Sequence, residues 1–148
     1  MLGALPIPEG PGSSVAYGIN DDLIAVGESN QEAVRFSPLT PLGVLGAARD
    51  INNSDVIVGV ANDNLTTYAF IVYPNGVVQN LNNLIPTGSD WNLLSAHAIN
   101  DLGWIVGIGI KGIEGGPEGG PGGSLDSGTT DPSLSAVRGF VLVPQPVP

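Results

Sequence analysis

Acid–base chemistry in this chain of 148 residues would depend on very few side chains. His97 is the single histidine and cysteine is absent, so thiolate nucleophiles, cysteine zinc sites and disulfides are excluded. A catalytic triad needs a nucleophile, a base and a group that orients the base, and no spacing around His97 supplies them. We therefore expect His97 to be an ordinary, partly exposed side chain.

Paired carboxylates are the second chemistry to consider, because many glycosidases cleave sugars with two of them. The candidates are Asp21, Asp22, Asp50 and Asp101. Aspartate and asparagine at turns and strand ends also bond to nearby backbone amides, which accounts for these residues without catalysis. The sequence therefore favours a non-enzymatic protein and leaves a glycan-cleaving one as the alternative.

Oxygen-rich stretches could hold calcium, which takes about six to eight oxygen ligands. The candidate ligands are Asp55, in the stretch 52–55, and Asp63, in the stretch 62–64. Neither stretch has the spacing of an EF-hand loop. We predict no metal site and no cofactor, with calcium as the alternative.

The two tryptophans have different surroundings. Trp104 precedes Ile105 and Val106 in an apolar run, which predicts a place in the core. Trp91 follows Ser89 and Asp90 in a connecting segment and could stack on a sugar ring, although the leucines after it favour core packing. Trp91 is the one candidate ligand-binding residue, for a glycan.

The charge balance limits the partners of the chain. It has 4 basic and 14 acidic side chains and a formal net charge of -10. Nucleic acids and anionic membrane surfaces both attract lysine and arginine, so we expect neither as a partner. No apolar run approaches the roughly 20 residues of a membrane span.

The segments that must position these residues repeat along the chain. The stretch 16–27, AYGINDDLIAVG, recurs at 48–59 as ARDINNSDVIVG and at 96–107 as AHAINDLGWIVG. Ala, Ile, Asn, Val and Gly coincide in every copy without a gap. His97 fills a slot that holds Tyr17 and Arg49 in the other copies, which indicates a tolerant, partly exposed position.

Two further elements accompany each copy. A Leu-x-x-Leu element precedes it, starting at residues 2, 42 and 81, and a segment containing Phe36, Phe70 or Phe140 follows it. Such a fixed period of about 40 residues is the signature of stacked structural units.

Each copy is predicted to form two strands joined at Asn-Asp or Asn-Asn, residues that tolerate turns. Gly103 lies where the three-residue hairpin pattern requires a positive φ. The second strands are apolar at consecutive positions and should be interior strands: 24–26, 56–58 and 104–106. Asn75-Gly76 predicts a further hairpin between 67–73 and 77–81.

Four short strands per unit are typical of a β-propeller blade. We predict an all-β protein of three propeller-type blades with about four antiparallel strands each, and keep a β-solenoid-like array as the alternative. The units of this single repeat domain are 2–38, 39–75 and 76–143, with a glycine-rich loop at 111–132 and a proline-rich tail at 144–148. The loop lacks the Lys-Ser/Thr ending of a phosphate-binding loop.

Three blades would not close a ring, since closed propellers have about four to eight. Two outer blade faces would then be left open, and large apolar patches usually mark interfaces. We expect a homo-oligomer, or the remaining blades of a longer chain, to cover them.

The succession Leu-Gly-x-Leu, Ala-x-x-Ile-Asn-Asp, Val-Gly and Ala-Phe resembles the HAF repeats of secreted bacterial proteins. The stretch from Leu81 to Leu142 resembles the last repeat of such proteins, and the proline-rich residues 143–148 resemble their approach to a sorting signal. The resemblance covers nearly the whole chain apart from 111–132. It implies an exported, extracellular or cell-surface protein with no transferable catalytic residues, and thus a structural or interaction module. This sequence departs from the family where Leu23 and Asp55 stand in place of the usual glycine.

Overall fold

The computed structural model describes residues 1–3, 12–36, 38–112 and 136–146. Within these ranges the chain forms ten strands and one short 3-10 helix. The strands are β1 (Ser14–Ile19), β2 (Ala25–Ser29), β3 (Glu32–Phe36), β4 (Thr40–Ile51), β5 (Ile57–Asn62), β6 (Thr67–Val72), β7 (Val78–Asn80), β8 (Trp91–Ile99), β9 (Ile105–Lys111) and β10 (Val137–Leu142). The prediction of an all-β chain is confirmed. No helix in the described ranges is long and apolar enough to cross a membrane.

All strand pairs are antiparallel and join neighbours in sequence. Strands β1 to β7 form a seven-stranded sheet in sequence order, and β10, β9 and β8 form a separate three-stranded sheet. Strand β4 pairs with β3 through its first half and with β5 from Gly46 onward. The described strands do not close into a ring.

This change of partner along β4 divides the seven-stranded sheet into two layers, and the three-stranded sheet is the third layer. We call β1–β3 with the first half of β4 the first layer, the second half of β4 with β5–β7 the second layer, and β8–β10 the third layer. One apolar cluster, including Val26, Ala33, Ile51 and Phe70, joins the first layer to the second. A second cluster, including Val58, Leu93, Ile99 and Phe140, joins the second layer to the third. The core therefore consists of two junctions between layers.

The predicted interior strands β2, β5 and β9 are the central strands of their layers. Every residue of β5 except Asn62 is buried, because β5 is covered on both faces. The predicted hairpin at Asn75-Gly76 forms between β6 and β7, with Gly76 at φ 82°. Consecutive apolar residues thus identified the central strands, but the expectation that both faces of each are covered is wrong for β9, where Val106 is 41% exposed.

The repeated Val-Gly pair has a steric cause. Each of the three glycines faces a bulge of the first strand in its layer. A Cβ at the glycine would overlap a carbonyl oxygen of that strand, as for Gly27 with Val15, Gly59 with Ala47 and Gly107 with Ser95. The bulge and the glycine therefore require each other.

Two details of the predicted units are wrong. The third Leu-x-x-Leu element is not a strand, because Leu81–Asn83 forms the 3-10 helix, with the Asn80 side chain accepting a hydrogen bond from the Asn82 amide. Phe36 is also not the equivalent of Phe70, which lies opposite Gly59, since Val34 is the residue opposite Gly27. A shift of two residues keeps a side chain on the same face of a sheet, so Phe36 is still buried.

Parts of the predicted elements lie outside the described residues. They are Ala4 and Leu5 of the first Leu-x-x-Leu element, residues 113–132 of the glycine-rich loop and residues 147–148 of the tail.

Candidate functional site

The turn after the first strand of each layer has the same geometry in every copy. The asparagine carbonyl accepts a hydrogen bond from the amide three residues later, at 3.1 Å for Asn20, 3.1 Å for Asn52 and 3.0 Å for Asn100. The residue that donates this bond has a positive φ: 63° at Leu23, 59° at Asp55 and 77° at Gly103. The predicted hairpin turn is confirmed, and Leu23 and Asp55 adopt a conformation that favours glycine.

The three asparagines also connect the layers. Asn20 Nδ2 donates to the carbonyl oxygen of Asn52 at 3.2 Å, and Asn52 Nδ2 donates to that of Asn100 at 3.0 Å. Their Oδ1 atoms meanwhile accept amide hydrogens within their own turns. We call this arrangement the asparagine column. Asn20 and Asn52 are buried, so their amides must find partners, which explains the repeated Asn.

The next turn position forms a second column, which we call the carboxylate column: Asp21, Asn53 and Asp101. Asn53 Nδ2 donates to Asp21 Oδ2 at 2.8 Å and to Asp101 Oδ2 at 2.9 Å. Asn53 Oδ1 accepts from the Asp21 amide at 2.8 Å, and the Asn53 amide donates to Asp101 Oδ1 at 2.9 Å. The Asn53 side-chain amide therefore separates two like charges and donates a hydrogen bond to each carboxylate.

These contacts place the candidate carboxylates in structural positions. Asp21 and Asp101 are held apart by Asn53, and Asp50 Oδ2 accepts the backbone amide of Ile99 at 2.8 Å. Asp22 is exposed in its turn. No pair of these carboxylates has been brought together around an open substrate position.

Both calcium candidates accept hydrogen bonds, Asp55 from another layer and Asp63 from its own turn. Asp55 Oδ1 accepts from Asn20 Nδ2 at 2.9 Å. Asp63 Oδ1 accepts from the amides of Leu65 and Thr66 and from the Thr66 hydroxyl. These hydrogen bonds, that from the Leu65 amide first, lower the pKa of Asp63 below its ordinary 3.8. The described residues contain no cluster of three or more His, Asp or Glu side chains that could hold a metal ion.

His97 is exposed, and the expectation of an exposed slot is confirmed. In the first two layers the same slot places the Arg49 guanidinium 4.3 Å from the centre of the Tyr17 ring. This distance is typical of a cation–π contact. The slot is therefore a third point of contact between layers.

The two tryptophans differ in how their surroundings agree with the prediction of core packing. Trp104 precedes β9 and is 45% exposed, so its prediction as a core residue is wrong. Trp91 begins β8, is partly buried, and packs edge-on against Phe140 with ring centres 6.4 Å apart. A polar groove of about 340 Å³ borders Trp91 and is lined by Asn82, Asn83, Thr87 and Ser89 among others. Trp91 thus combines core packing with access to polar groups.

An apolar groove of about 660 Å³ opens between the second and third layers. Its lining includes Val56, Tyr73, Leu81, Ile85, Ile105 and Leu142. Among its described lining residues, Tyr73 is the one titratable side chain.

Among the described residues, the outer sides of the first and third layers carry exposed apolar side chains. The first exposes Ile19, and the third exposes Trp104, Val106 and Val141. The asparagine column and the carboxylate column each run from the first of these layers to the third. Sequence reasoning placed Asn53 in a turn but missed its bonds to two carboxylates, and it gave Asn82 no role. Asn82 bonds both backbone groups of Leu93, at 2.7 and 3.0 Å.

Comparison of the chain with protein-family models, with curated proteins and with solved structures finds no match.

Proposed function

We propose that this chain is a non-enzymatic structural or interaction module that associates with further copies of itself through its open outer layers. The observation that carries the proposal is the unequal burial of equivalent repeat positions. The repeated Val is 0% exposed at Val26, 0% at Val58 and 41% at Val106. The repeated Ile is 60% exposed at Ile19 but 4% at Ile51 and 8% at Ile99.

This pattern follows from the direction in which each residue points. Val26 and Val58 lie in the junctions with the following layer, whereas Ile51 and Ile99 lie in the junctions with the preceding one. Val106 and Ile19 have the same residue types but no adjoining layer among the described residues. Burial of such side chains stabilises by roughly 25 cal/mol per Å² of apolar area, so covering both faces favours association.

The interface that follows is heterologous, because the two open faces belong to different ends of the molecule. Heterologous contacts generate a ring if the rotation between copies closes and an open array if it does not. We propose propeller-type blades completed into a ring by other copies, and the solenoid-like array is the alternative that an open assembly would favour. The similarity to HAF repeats supports an extracellular or cell-surface location for such an assembly.

Sedimentation velocity across a concentration series tests this function. Val106→Asp places a charge on the third layer's outer face and is expected to weaken association at least about tenfold, since a buried unpaired charge is costly. Leu65→Asp is the matched control, because Leu65 is exposed in the turn between β5 and β6, away from both faces.

A wild-type chain that stays monomeric throughout, or equal effects of the two variants, would refute self-association through this face. A saturable glycan-array signal that Trp91→Ala abolishes would then support glycan binding instead.

A further inference from the structure

The two internal junctions show how one layer recognises the next. At each junction an asparagine amide reaches the neighbouring turn, an Asp and an Asn side chain bond in the carboxylate column, and a Val packs with an Ile in the apolar cluster. The same positions at the two ends of the chain are Asn100, Asp101 and Val106 on the third layer, and Asn20, Asp21 and Ile19 on the first.

We propose that the third layer of one copy docks on the first layer of the next in the register of the internal junctions, and that the carboxylates of Asp101 and the next copy's Asp21 meet there and oppose association. This inference rests on the self-association proposed above. It adds the register of the contact and the groups that weaken it.

The apolar part of this contact reproduces an internal junction. Val106 takes the place of Val58, and Ile19 of the next copy takes the place of Ile99. Ala16 and Ala25 of the next copy correspond to Ala96 and Ile105, which lie in the internal cluster. The exposed Trp104 occupies the position of Val56, which packs against the same cluster.

The asparagine column can continue without change. Internal donors and carbonyl oxygens are 3.2 and 3.0 Å apart, and Asn100 Nδ2 would reach the carbonyl of Asn20 in the next copy in the same way. That carbonyl already accepts the Leu23 amide, as the carbonyls of Asn52 and Asn100 accept amides in their turns. Inside the chain, the carbonyls of Asn52 and Asn100 thus each accept two hydrogen bonds, one from a turn amide and one from an Asn side chain.

The carboxylate column cannot continue in this way. Inside the chain each Asp meets the Asn53 side chain, which donates one hydrogen to each neighbour. Between copies Asp101 would meet Asp21, and two ionised carboxylates supply acceptors only. Like charges placed opposite each other at an interface oppose binding.

Other charged groups near the contact act in the same direction or are distant from the pair. Asp22 adjoins Asp21 in the turn, and Asp55 bonds Asn20 within the chain. His97 would lie against Tyr17 of the next copy, where Arg49 lies against Tyr17 within the chain.

The variant that tests the proposal is Asp21→Asn. Its Oδ1 can still accept from Asn53 Nδ2, while its own amide points toward the position of Asp101 in the preceding copy. Asp90→Asn is the matched control: it removes the same charge from an exposed side chain outside the columns.

The dissociation constant of each protein is measured by sedimentation at pH 7. Asp21→Asn is expected to associate about tenfold more tightly than wild type, and Asp90→Asn within about twofold of it.

The contrary results separate the two proposals. Suppose that wild type associates, that Val106→Asp prevents association, and that Asp21→Asn and Asp90→Asn behave alike. The copies then associate through the outer face of the third layer, but not in the register of the internal junctions. If no variant associates at any concentration, self-association itself fails. Should Asp21→Asn not fold by circular dichroism, Asp101→Asn makes the same test from the other side of the contact, while keeping one of the two hydrogen bonds that Asn53 donates to residue 101.

Discussion

Asn53 lies between two carboxylates, and its replacement by aspartate tests whether the carboxylate column stabilises the fold. Asn53→Asp changes one amide group to a carboxylate of almost the same shape. The backbone bond from the residue 53 amide to Asp101 Oδ1 and the acceptor for the Asp21 amide can both remain. The two hydrogens that Nδ2 donates are lost, and three carboxylates then lie in a row.

The expected loss follows from these two effects. Each lost bond goes to a charged acceptor at the surface and contributes about 0.5–1 kcal/mol after solvent competition. Two unit charges about 4 Å apart repel by about 1 kcal/mol in water, and the substitution creates two such pairs. The free energy of unfolding should fall by about 3 kcal/mol at neutral pH and low salt, which lowers the melting temperature by roughly 6–12 °C.

Thermal and urea unfolding of three variants separate the two effects. Asn53→Ala loses the two donated hydrogen bonds and also the acceptor of the Asp21 amide without adding charge, so it should lose about 2 kcal/mol. Asn75→Asp adds the same charge in the hairpin turn, where Oδ1 can still accept the Val77 amide, and should change stability by less than about 0.5 kcal/mol. In 1 M salt the difference between Asn53→Asp and Asn53→Ala should shrink, because the charges are screened.

Equal stability of Asn53→Asp and Asn53→Ala at neutral pH in low salt would refute the charge-separating role of Asn53. Equal losses of unfolding free energy in Asn53→Asp and Asn75→Asp would show that the carboxylate column does not stabilise the fold.

The remaining predictions concern the turns. Leu23→Gly should stabilise the chain by about 0.5 kcal/mol, because removing the strain of φ 63° gains about 1–2 kcal/mol and glycine costs about 0.5–1 kcal/mol of chain entropy. Gly103→Ala, the reverse change at the same turn position, should destabilise by about 1 kcal/mol in the same urea titration, and opposite signs in both would contradict the argument. For Asp63, we expect an NMR titration to give a pKa below 3.8 and Thr66→Ala to raise it, since that variant removes the hydroxyl donor. Because this pKa is depressed on folding, its contribution to stability is present above the unfolded pKa and disappears as the pH falls through the folded one; an unchanged pKa in Thr66→Ala would contradict this.

Local features of the fold could be predicted because they depend on neighbouring residues alone. Gly103 at positive φ and the Asn75-Gly76 hairpin follow from backbone sterics, and the central strands follow from unbroken apolar runs. The helical turn at Leu81–Asn83 was missed, because Asn80 caps it through a side chain that the Leu-x-x-Leu comparison ignores. The two-residue shift at Phe36 was missed for a similar reason: strand pairing, not the identity of the aromatic residue, decides equivalence.

For the candidate site, the sequence predicted the residue types at the turns but not the contacts that they make between layers. Turn positions rich in Asp and Asn were expected to bond to nearby backbone amides, and the Oδ1 atoms of Asn20, Asn52 and Asn100 do so within their own turns. That Asn53 lies between Asp21 and Asp101 depends on contacts between residues 32 and 48 positions apart, which form only when layers stack. Trp104 was placed wrongly because its side chain points toward a layer that the described strands do not supply.

The amino-acid sequence by itself determined the repeat, because three stretches with the same residue types must form the same strands and turn. Only the tertiary structure decided what each copy contacts. Val58 and Val106 share a residue type and a strand position, yet one is buried and the other 41% exposed. A side chain is buried only where another layer lies against its face. Its burial is therefore decided by the stacking of the layers and not by the repeated segment.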